Sequence, residues 1–164
     1  MKTTFYAICF VLFSAVTVFA NEGKPVDTIP PFKIMQTDGR FFQASDLAKN
    51  KPVVLIYFAP DCQHCQVLMQ GLFKNLEAFK KVQLVLITFK PLNELALFER
   101  QYRTAGFSNI RTGTEGSTYF LRYYYNLSNT PFTAVYNKQG TLVRSFRDIN
   151  TPISEIQACV KNLN

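Results

Sequence analysis

Two cysteines separated by two residues are the side chains in this sequence best suited to chemistry. Cys62 and Cys65 lie in the stretch FAPDCQHCQVLMQGL, where an apolar run gives way to a helix-like pattern. A pair with this spacing can be half of a metal site, a structural crosslink or a dithiol that exchanges electrons. The rest of the sequence decides between these three kinds of site.

The metal and crosslink interpretations are weak. A zinc site needs four ligands, so a Cys-x-x-Cys pair needs a second pair of ligands elsewhere. His64 is the only histidine of the chain, and Cys159 is a distant lone thiol. A disulfide between Cys62 and Cys65 would close a very short loop and remove little entropy from the unfolded chain. We therefore expect redox chemistry, with no metal and no other cofactor.

The start of a helix gives this pair a physical basis for redox chemistry. Cys62 would lie in the first turn, where free backbone N–H groups and the positive end of the helix dipole favour a thiolate. A thiolate attacks disulfides, and Cys65, one turn further on, is placed to attack the resulting mixed disulfide. We predict that Cys62 is an exposed nucleophile with a lowered pKa and that Cys65 is the resolving thiol.

The elements that must position the pair are a strand before it and a helix after it. The run KPVVLIYFAP predicts a central strand buried on both faces. From Cys62 to Phe79 the apolar residues are spaced three and four apart, which predicts an amphipathic helix. VQLVLITF predicts a second buried strand, and residues 92–104 a second helix. Strands that alternate with helices indicate a parallel central sheet covered by helices.

The flanking segments predict smaller elements. FKIMQTDGRFFQASDL predicts two short strands around a turn at 37–39, then a short helix starting at Ser45. Residues 105–118 are rich in Gly, Ser, Thr and Asn, which predicts a loop. The aromatic stretch TYFLRYYYNL that follows either packs against the sheet or lines a substrate groove, and packing is the favoured alternative.

The last part of the chain predicts a hairpin and a helix. PFTAVYNKQGTLVRSF predicts two strands with their turn at 137–140. A helix over residues 153–163 would turn an apolar stripe inward, and Cys159 borders that stripe. We expect Cys159 to be a buried, inert thiol.

The N-terminal segment predicts export. Residues 1–20 have a basic residue, an apolar middle and small residues before Ala20, the layout of a cleaved signal peptide. The alternative is an uncleaved anchor. Residues 21–31 contain three prolines and predict an extended linker, which leaves one domain over 32–164. Without Lys2 the formal charge of +7 becomes 7 − 1 = +6, and it is scattered, so we expect a solvated basic surface and no nucleic-acid partner.

Two stretches resemble a known family. FKIMQTDGRFFQASDLAKNKPVVLIYFAPDCQHC and NTPFTAVYNKQGTLV are similar to exported thioredoxin-like proteins of the TlpA and ResA type, grouped with AhpC/TSA and redoxin proteins. The resemblance covers most of residues 32–164. It implies an α/β thioredoxin-like fold, with a central mixed sheet flanked by helices and an N-terminal β-hairpin extension. It also implies a cis-proline loop at Thr130 and Pro131, where the Thr130 backbone pairs with substrate.

The sequence departs from the thioredoxin pattern in three places. Asp61 replaces the usual Trp before the first cysteine; its charge opposes a thiolate if it points inward and is nearly neutral if it faces water. Ile56 stands where thioredoxin has a buried acid, so the proton shuttle for the second cysteine is unassigned, with water and Glu94 as candidates. His64 precedes Cys65 as in the DsbA-type motif, and it either tunes the thiolate or is exposed without contacting sulfur.

The leading functional hypothesis is an exported thiol–disulfide oxidoreductase that acts on protein cysteines. One alternative is a thiol peroxidase of the AhpC/TSA type, although Ala59 stands where peroxiredoxins have a Thr. Another is a non-catalytic binding or metal-carrying module of the same fold. We expect a periplasmic monomer whose partners are protein thiols and disulfides and a redox partner, for which a membrane protein is one candidate.

Overall fold

The structure is a computed structural model that describes residues 27–163. The predicted signal peptide and most of the predicted linker lie outside these residues. The strands of the described part are β1 (Lys33–Met35), β2 (Phe41–Gln43), β3 (Val53–Phe58), β4 (Gln83–Thr88), β5 (Ile110–Thr114), β6 (Phe132–Tyr136) and β7 (Leu142–Phe146). The α-helices of the same part are α1 (Gln63–Lys74), α2 (Leu92–Tyr102), α3 (Phe120–Tyr124) and α4 (Ile153–Lys161). Short 3-10 helices lie at Ala44–Asp46, Leu76–Phe79, Thr104–Gly106 and Gly116–Thr118.

The strands of the described part form one mixed sheet in the order β2-β1-β5-β4-β3-β6-β7. β3, β4 and β5 are parallel neighbours, whereas β1, β2, β6 and β7 pair in antiparallel fashion. All residues of β3 are buried, as its continuous apolar run predicts for a strand covered on both faces. The central mixed sheet and the N-terminal hairpin are therefore confirmed.

The side chains of β3 alternate between two cores. Phe58 faces the first core, which also contains Cys65 of α1 and Ile156 of α4. Tyr57 faces the second core, together with Leu121 of α3. The aromatic stretch around α3 therefore packs against the sheet. Since consecutive side chains of a strand point to opposite faces, the end of β3 directs Phe58 toward the helix that carries the cysteines.

The loop predicted over residues 105–118 is wrong, because β5 lies within it. β5 pairs in parallel with β4 along its whole length, and Thr114 pairs with Met35 of β1. Its small polar residues resemble a loop locally, but the sheet on either side supplies the hydrogen bonds and the burial. Gly113 is required here because a Cβ atom would lie 2.7 Å from atoms of Ile34.

We expect Gly113→Ala to destabilise the fold by about 1 to 3 kcal/mol, the cost of overpacking a dense core. Ile34 is fully buried and cannot move aside into solvent. Urea denaturation monitored by circular dichroism measures the change. Gly106→Ala is the matched control, because a Cβ there meets no heavy atom within 4 Å. Equal midpoints for the two variants would contradict the assigned contact.

Several element boundaries differ from the predictions. α1 ends at Lys74, because Asn75 leaves the helical conformation and donates from its side chain to the Gly71 carbonyl oxygen at 2.8 Å. Phe79 therefore lies in a 3-10 helix, and α4 ends at Lys161. The end of the predicted linker is packed, since the Ile29 N–H donates to the Gly140 carbonyl oxygen at 3.2 Å. Within residues 27–163, none of the helices has the length and apolar character to span a membrane.

Candidate active site

The two cysteines lie where β3 ends and α1 begins. Cys62 is the N-cap residue of α1, and its carbonyl oxygen accepts the first helical hydrogen bond from Gln66 at 2.9 Å. Its own N–H donates to the Ala59 carbonyl oxygen at 3.1 Å, which tightens the turn after the strand. Both cysteines are free thiols; Cys62 is half-buried, and Cys65 is buried in the first core.

The position of Cys62 favours its thiolate. Burial opposes ionisation and is the largest single influence on its pKa, but hydrogen bonds outweigh it and lower the pKa below the ordinary value. These bonds come from the backbone and thiol of Cys65, the side chain of Thr130 and the backbone of His64. Free N–H groups at a helix start act in this way because they stabilise negative charge.

Cys65 has the opposite character. Its burial raises the pKa of the thiol, and the neighbouring Cys62 raises it further, although a hydrogen bond from Ala59 opposes both effects. The Ala59 N–H donates to the Cys65 sulfur at 3.5 Å. The site therefore holds one thiol with a lowered pKa and one with a raised pKa, the difference that a nucleophile and a resolving thiol require.

The loop before β6 lies against Cys62. The Cys62 sulfur donates to the Thr130 carbonyl oxygen at 3.5 Å, and the bond from Thr130 to Pro131 is cis. β6 brings this loop to the end of β3, since Phe132 pairs with Tyr57. Pro131 is buried and Thr130 is half-buried, so the structure brings together the two cysteines and the two loop residues that the sequence singles out.

His64 enters the site through its backbone. Its side chain is exposed, and no hydrogen bond described within residues 27–163 joins the ring to either sulfur. The His64 backbone, in contrast, is one of the groups that lower the Cys62 pKa. Of the two alternatives for the imidazole, the exposed one without a sulfur contact matches the structure.

Asp61 is exposed to water, as the second of the two alternatives for it has it, but it also has an ion-pair partner that neither alternative included. Its carboxylate accepts a hydrogen bond from the Lys90 ammonium at 2.5 Å, and this bond lowers the Asp61 pKa. Sequence reasoning missed Lys90, which comes just after β4. The signal that identifies it is topological, because the carboxyl ends of adjacent parallel strands meet at one edge of the sheet.

Ile56 occupies the position at which thioredoxin has its buried acid, and it is fully buried in the first core, so this position supplies no carboxyl group. Glu94 borders the same groove as Cys65, a cavity of about 220 Å³ between α1 and α2. The Glu94 carboxylate lies 3.9 Å from the Lys90 ammonium.

A buried carboxylate lies elsewhere at the same edge of the sheet. Glu115 accepts from the Tyr57 hydroxyl at 2.7 Å and from the Leu121 N–H at 2.9 Å. Burial raises the pKa of Glu115, although both hydrogen bonds oppose this. Through these two hydrogen bonds Glu115 joins β3 to the start of α3, and both of its partners belong to the second core. Cys65 belongs to the first core, on the other face of the sheet.

The third thiol lies apart from the pair. Cys159 packs against the first core from α4 and is half-buried, so the predicted burial of this thiol is only partial. It sits at the border of the apolar stripe, where one side of the helix meets water. Burial raises the pKa of Cys159, although the charge of Arg144 opposes this effect. The raised pKa keeps the thiol protonated at neutral pH.

Solved structures share this arrangement of strands and helices. A secreted disulfide oxidoreductase of Mycobacterium tuberculosis, homologous to E. coli DsbE, is 20% identical over 81% of this chain and 96% of its own, with a TM-score of 0.68. The M. tuberculosis protein DsbF is 20% identical over 84% of this chain and all of its own (100%), with a TM-score of 0.66. The M. tuberculosis peroxidoxin BcpB is 15% identical over 84% and 96%, with a TM-score of 0.70.

These similarities define the fold class as thioredoxin-like. In this chain the two cysteines lie at the start of a helix. The AhpC/TSA family model matches residues 25–158, and the chain belongs to this family. Both results confirm the resemblance inferred from the sequence. No protein of curated function matches the chain.

Proposed function

We propose that this protein is a thiol–disulfide oxidoreductase that exchanges disulfides with protein cysteines. The observation that carries the proposal is the opposite character of the two thiols. Cys62 is half-buried at the helix start with a lowered pKa, whereas Cys65 is buried with a raised pKa. An attacking thiol must be ionised and accessible, and a resolving thiol must stay shielded until a mixed disulfide forms.

The exchange has two steps. In the reducing direction the Cys62 thiolate attacks one sulfur of a client disulfide, that bond breaks, and the other client sulfur leaves as a thiolate and takes up a proton. Cys65 then loses its proton and attacks the Cys62 sulfur, which releases the first client sulfur. The protein ends with a Cys62–Cys65 disulfide, and two electrons have passed to the client. The oxidising direction is the reverse.

The loop at Thr130 and Pro131 is proposed to receive the client chain. Thr130 is half-buried, and its carbonyl oxygen lies 3.5 Å from the Cys62 sulfur, so a chain held at this loop would lie beside the attacking atom. Once the client chain is bound at this loop, its disulfide would be held next to the Cys62 sulfur, and the attack would no longer depend on a bimolecular collision.

A peroxidase is the second candidate, favoured by the family match and by the similarity to the peroxidoxin. Ala59, which stands at the position of the peroxiredoxin Thr, cannot donate a side-chain hydrogen bond to a bound peroxide. Disulfide exchange is therefore the preferred function, and a hydrogen peroxide consumption assay separates the two.

The place of action is proposed to be outside the cytoplasm, in a periplasm. The sequence of residues 1–20 supports export. Two of the similar structures are described as a secreted protein and as an exposed lipoprotein. The partners would then be exported proteins with cysteines and a redox partner that restores the dithiol or the disulfide.

The reduction potential of the pair tests the proposal. We expect one two-electron transition in a glutathione or dithiothreitol buffer. A low reduction potential would indicate a reductase, and a high reduction potential would indicate an oxidase or isomerase.

We further expect His64→Ala to change the reduction potential by less than about 30 mV. A charge-assisted hydrogen bond contributes ~1.5 to 3 kcal/mol, or roughly 30 to 65 mV, and the exposed ring makes no such bond to sulfur.

Each result of the titration has a definite meaning. A pair that forms no disulfide in any of these buffers would overturn the oxidoreductase proposal. A larger shift in His64→Ala would show that the imidazole reaches the Cys62 sulfur in solution. Gln70→Ala on the exposed side of the same helix is the matched control for changes in α1.

A further inference from the structure

The backbone of Lys90 is fixed at the edge of the sheet by two threonine side chains. Its backbone N–H donates to the Thr88 hydroxyl at 3.1 Å, and its carbonyl oxygen accepts from the Thr114 hydroxyl at 2.7 Å. Thr88 and Thr114 are buried ends of adjacent strands and pair with each other in the sheet. The Lys90 side chain is 24% exposed, so its ammonium leaves the sheet edge in a restricted direction.

That direction is toward Asp61. The Lys90 ammonium lies 2.5 Å from one Asp61 carboxylate oxygen and 3.9 Å from the nearer Glu94 oxygen. The Asp61 hydrogen bond raises the Lys90 pKa and lowers the Asp61 pKa, so both groups stay charged. Asp61 is 58% exposed and has no other ion-pair partner among residues 27–163. Lys90 is therefore the group that balances this carboxylate.

Asp61 is the residue immediately before Cys62. An unbalanced negative charge on the adjacent residue disfavours a Cys62 thiolate, because like charges repel each other. With Lys90 bound, the pair presents nearly zero net charge to the sulfur.

We propose that Lys90 is a positioning residue for exchange at Cys62, which binds the Asp61 carboxylate and so keeps its charge from suppressing the thiolate. This inference rests on the proposed redox role of Cys62. It assigns a function to the segment after β4. The Lys90 side chain reaches from this segment to Asp61, which follows the end of the parallel strand β3.

The groups that face Cys62 come from several elements. α1 contributes Cys65 and the backbone of His64, and the loop before β6 contributes the uncharged Thr130. The turn before Cys62 contributes Asp61, and Lys90, which follows β4, binds Asp61 and has Glu94 and Tyr119 as its other neighbours. Replacing Lys90 by a neutral residue changes only one charge in this set.

The test is the pH dependence of iodoacetamide alkylation at Cys62, read by mass spectrometry of the reduced protein. We expect Lys90→Met to raise the midpoint by about 0.5 to 1 pH unit at low salt, with roughly 3- to 10-fold slower alkylation below it. At 1 M salt the shift should fall to less than half, because the screening length shortens from about 10 Å to 3 Å.

Two further variants complete a thermodynamic cycle. Asp61→Asn should lower the midpoint, since Lys90 is then unbalanced, and the double variant should return close to the parent. Lys80→Met is the matched control, because Lys80 makes an ion pair of the same 2.5 Å length with Glu77, after the far end of α1. It should leave the midpoint unchanged.

The outcomes decide the proposal. A Lys90→Met profile that coincides with the parent, or a double variant that keeps the whole Lys90→Met shift, would overturn it. If circular dichroism shows that Lys90→Met is unfolded, the double variant decides alone: a midpoint equal to that of the parent supports the proposal, and a midpoint well below it, as an unbalanced Asp61 would give, overturns it. Alkylation needs no client disulfide, so a protein inactive in exchange still yields the profile.

Discussion

We expect Cys62→Ser to reduce disulfide exchange to the uncatalysed rate, a loss on the order of 10³-fold or more, because it removes the proposed catalytic nucleophile. Serine is nearly the same size, but its hydroxyl does not ionise near neutral pH and does not attack disulfides. The helix start that lowers the Cys62 pKa cannot compensate for the missing sulfur. Reduction of insulin by dithiothreitol, followed by turbidity, measures the change.

Cys159→Ser is the matched control for this experiment. It makes the same chemical change in a half-buried thiol of α4, which packs against the first core away from the dithiol. We expect its exchange rate to stay within about twofold of the parent and its stability to fall by about 1 kcal/mol. Full activity of Cys62→Ser, or loss of activity in Cys159→Ser alone, would show that the nucleophile has been assigned to the wrong cysteine.

The elements next to the dithiol could be predicted because their signals are local. The apolar run of β3 and the three- and four-residue spacing after Cys62 each specify one element without reference to the rest of the chain. Cys65 fits the helical spacing, so its burial in the first core could also be expected. The half-buried state of Cys62 could not, because it depends on Thr130, which lies 68 residues away.

β5 could not be predicted because its stability is not local. Its residues IRTGT carry little hydrophobic pattern, and Gly113 is unfavourable in an isolated strand. The strand exists because β4 and β1 supply partners on both sides and because Ile34 occupies the space that a side chain at 113 would fill. Tertiary context outweighs the local preference here.

The contact between Asp61 and Lys90 was missed for a related reason. These residues are 29 positions apart and meet because Phe58 and Thr88 end parallel neighbouring strands in register. Sequence patterns predicted both strands but not their pairing, and the alternatives for Asp61 considered only its own orientation. The charge of one residue beside a cysteine therefore has no definite effect until the neighbouring strand end is known.

Cys65→Ser is expected to accumulate mixed disulfides between Cys62 and client proteins. Attack by Cys62 needs only the accessible thiolate, which this variant keeps, whereas release of the client needs the second sulfur. Cys65 is 1% exposed, so a bulky thiol from solution cannot readily take its place. Non-reducing electrophoresis should show adducts of higher mass that disappear with dithiothreitol, in at least about half of the protein mixed with excess disulfide client.

The control for trapping is the double variant Cys62→Ser with Cys65→Ser, which retains Cys159 and should form no adduct. Peptide mapping of the trapped species should place the client on Cys62. Adducts on Cys159 would mean that the exposed part of α4 carries the reactive thiol, and adducts in the double variant would mean the same. If Cys65→Ser instead turns over at the parent rate, the client disulfide is resolved by its own second thiol. The raised pKa of Cys65, which burial causes, would then describe a structural sulfur, and the site would act through one cysteine.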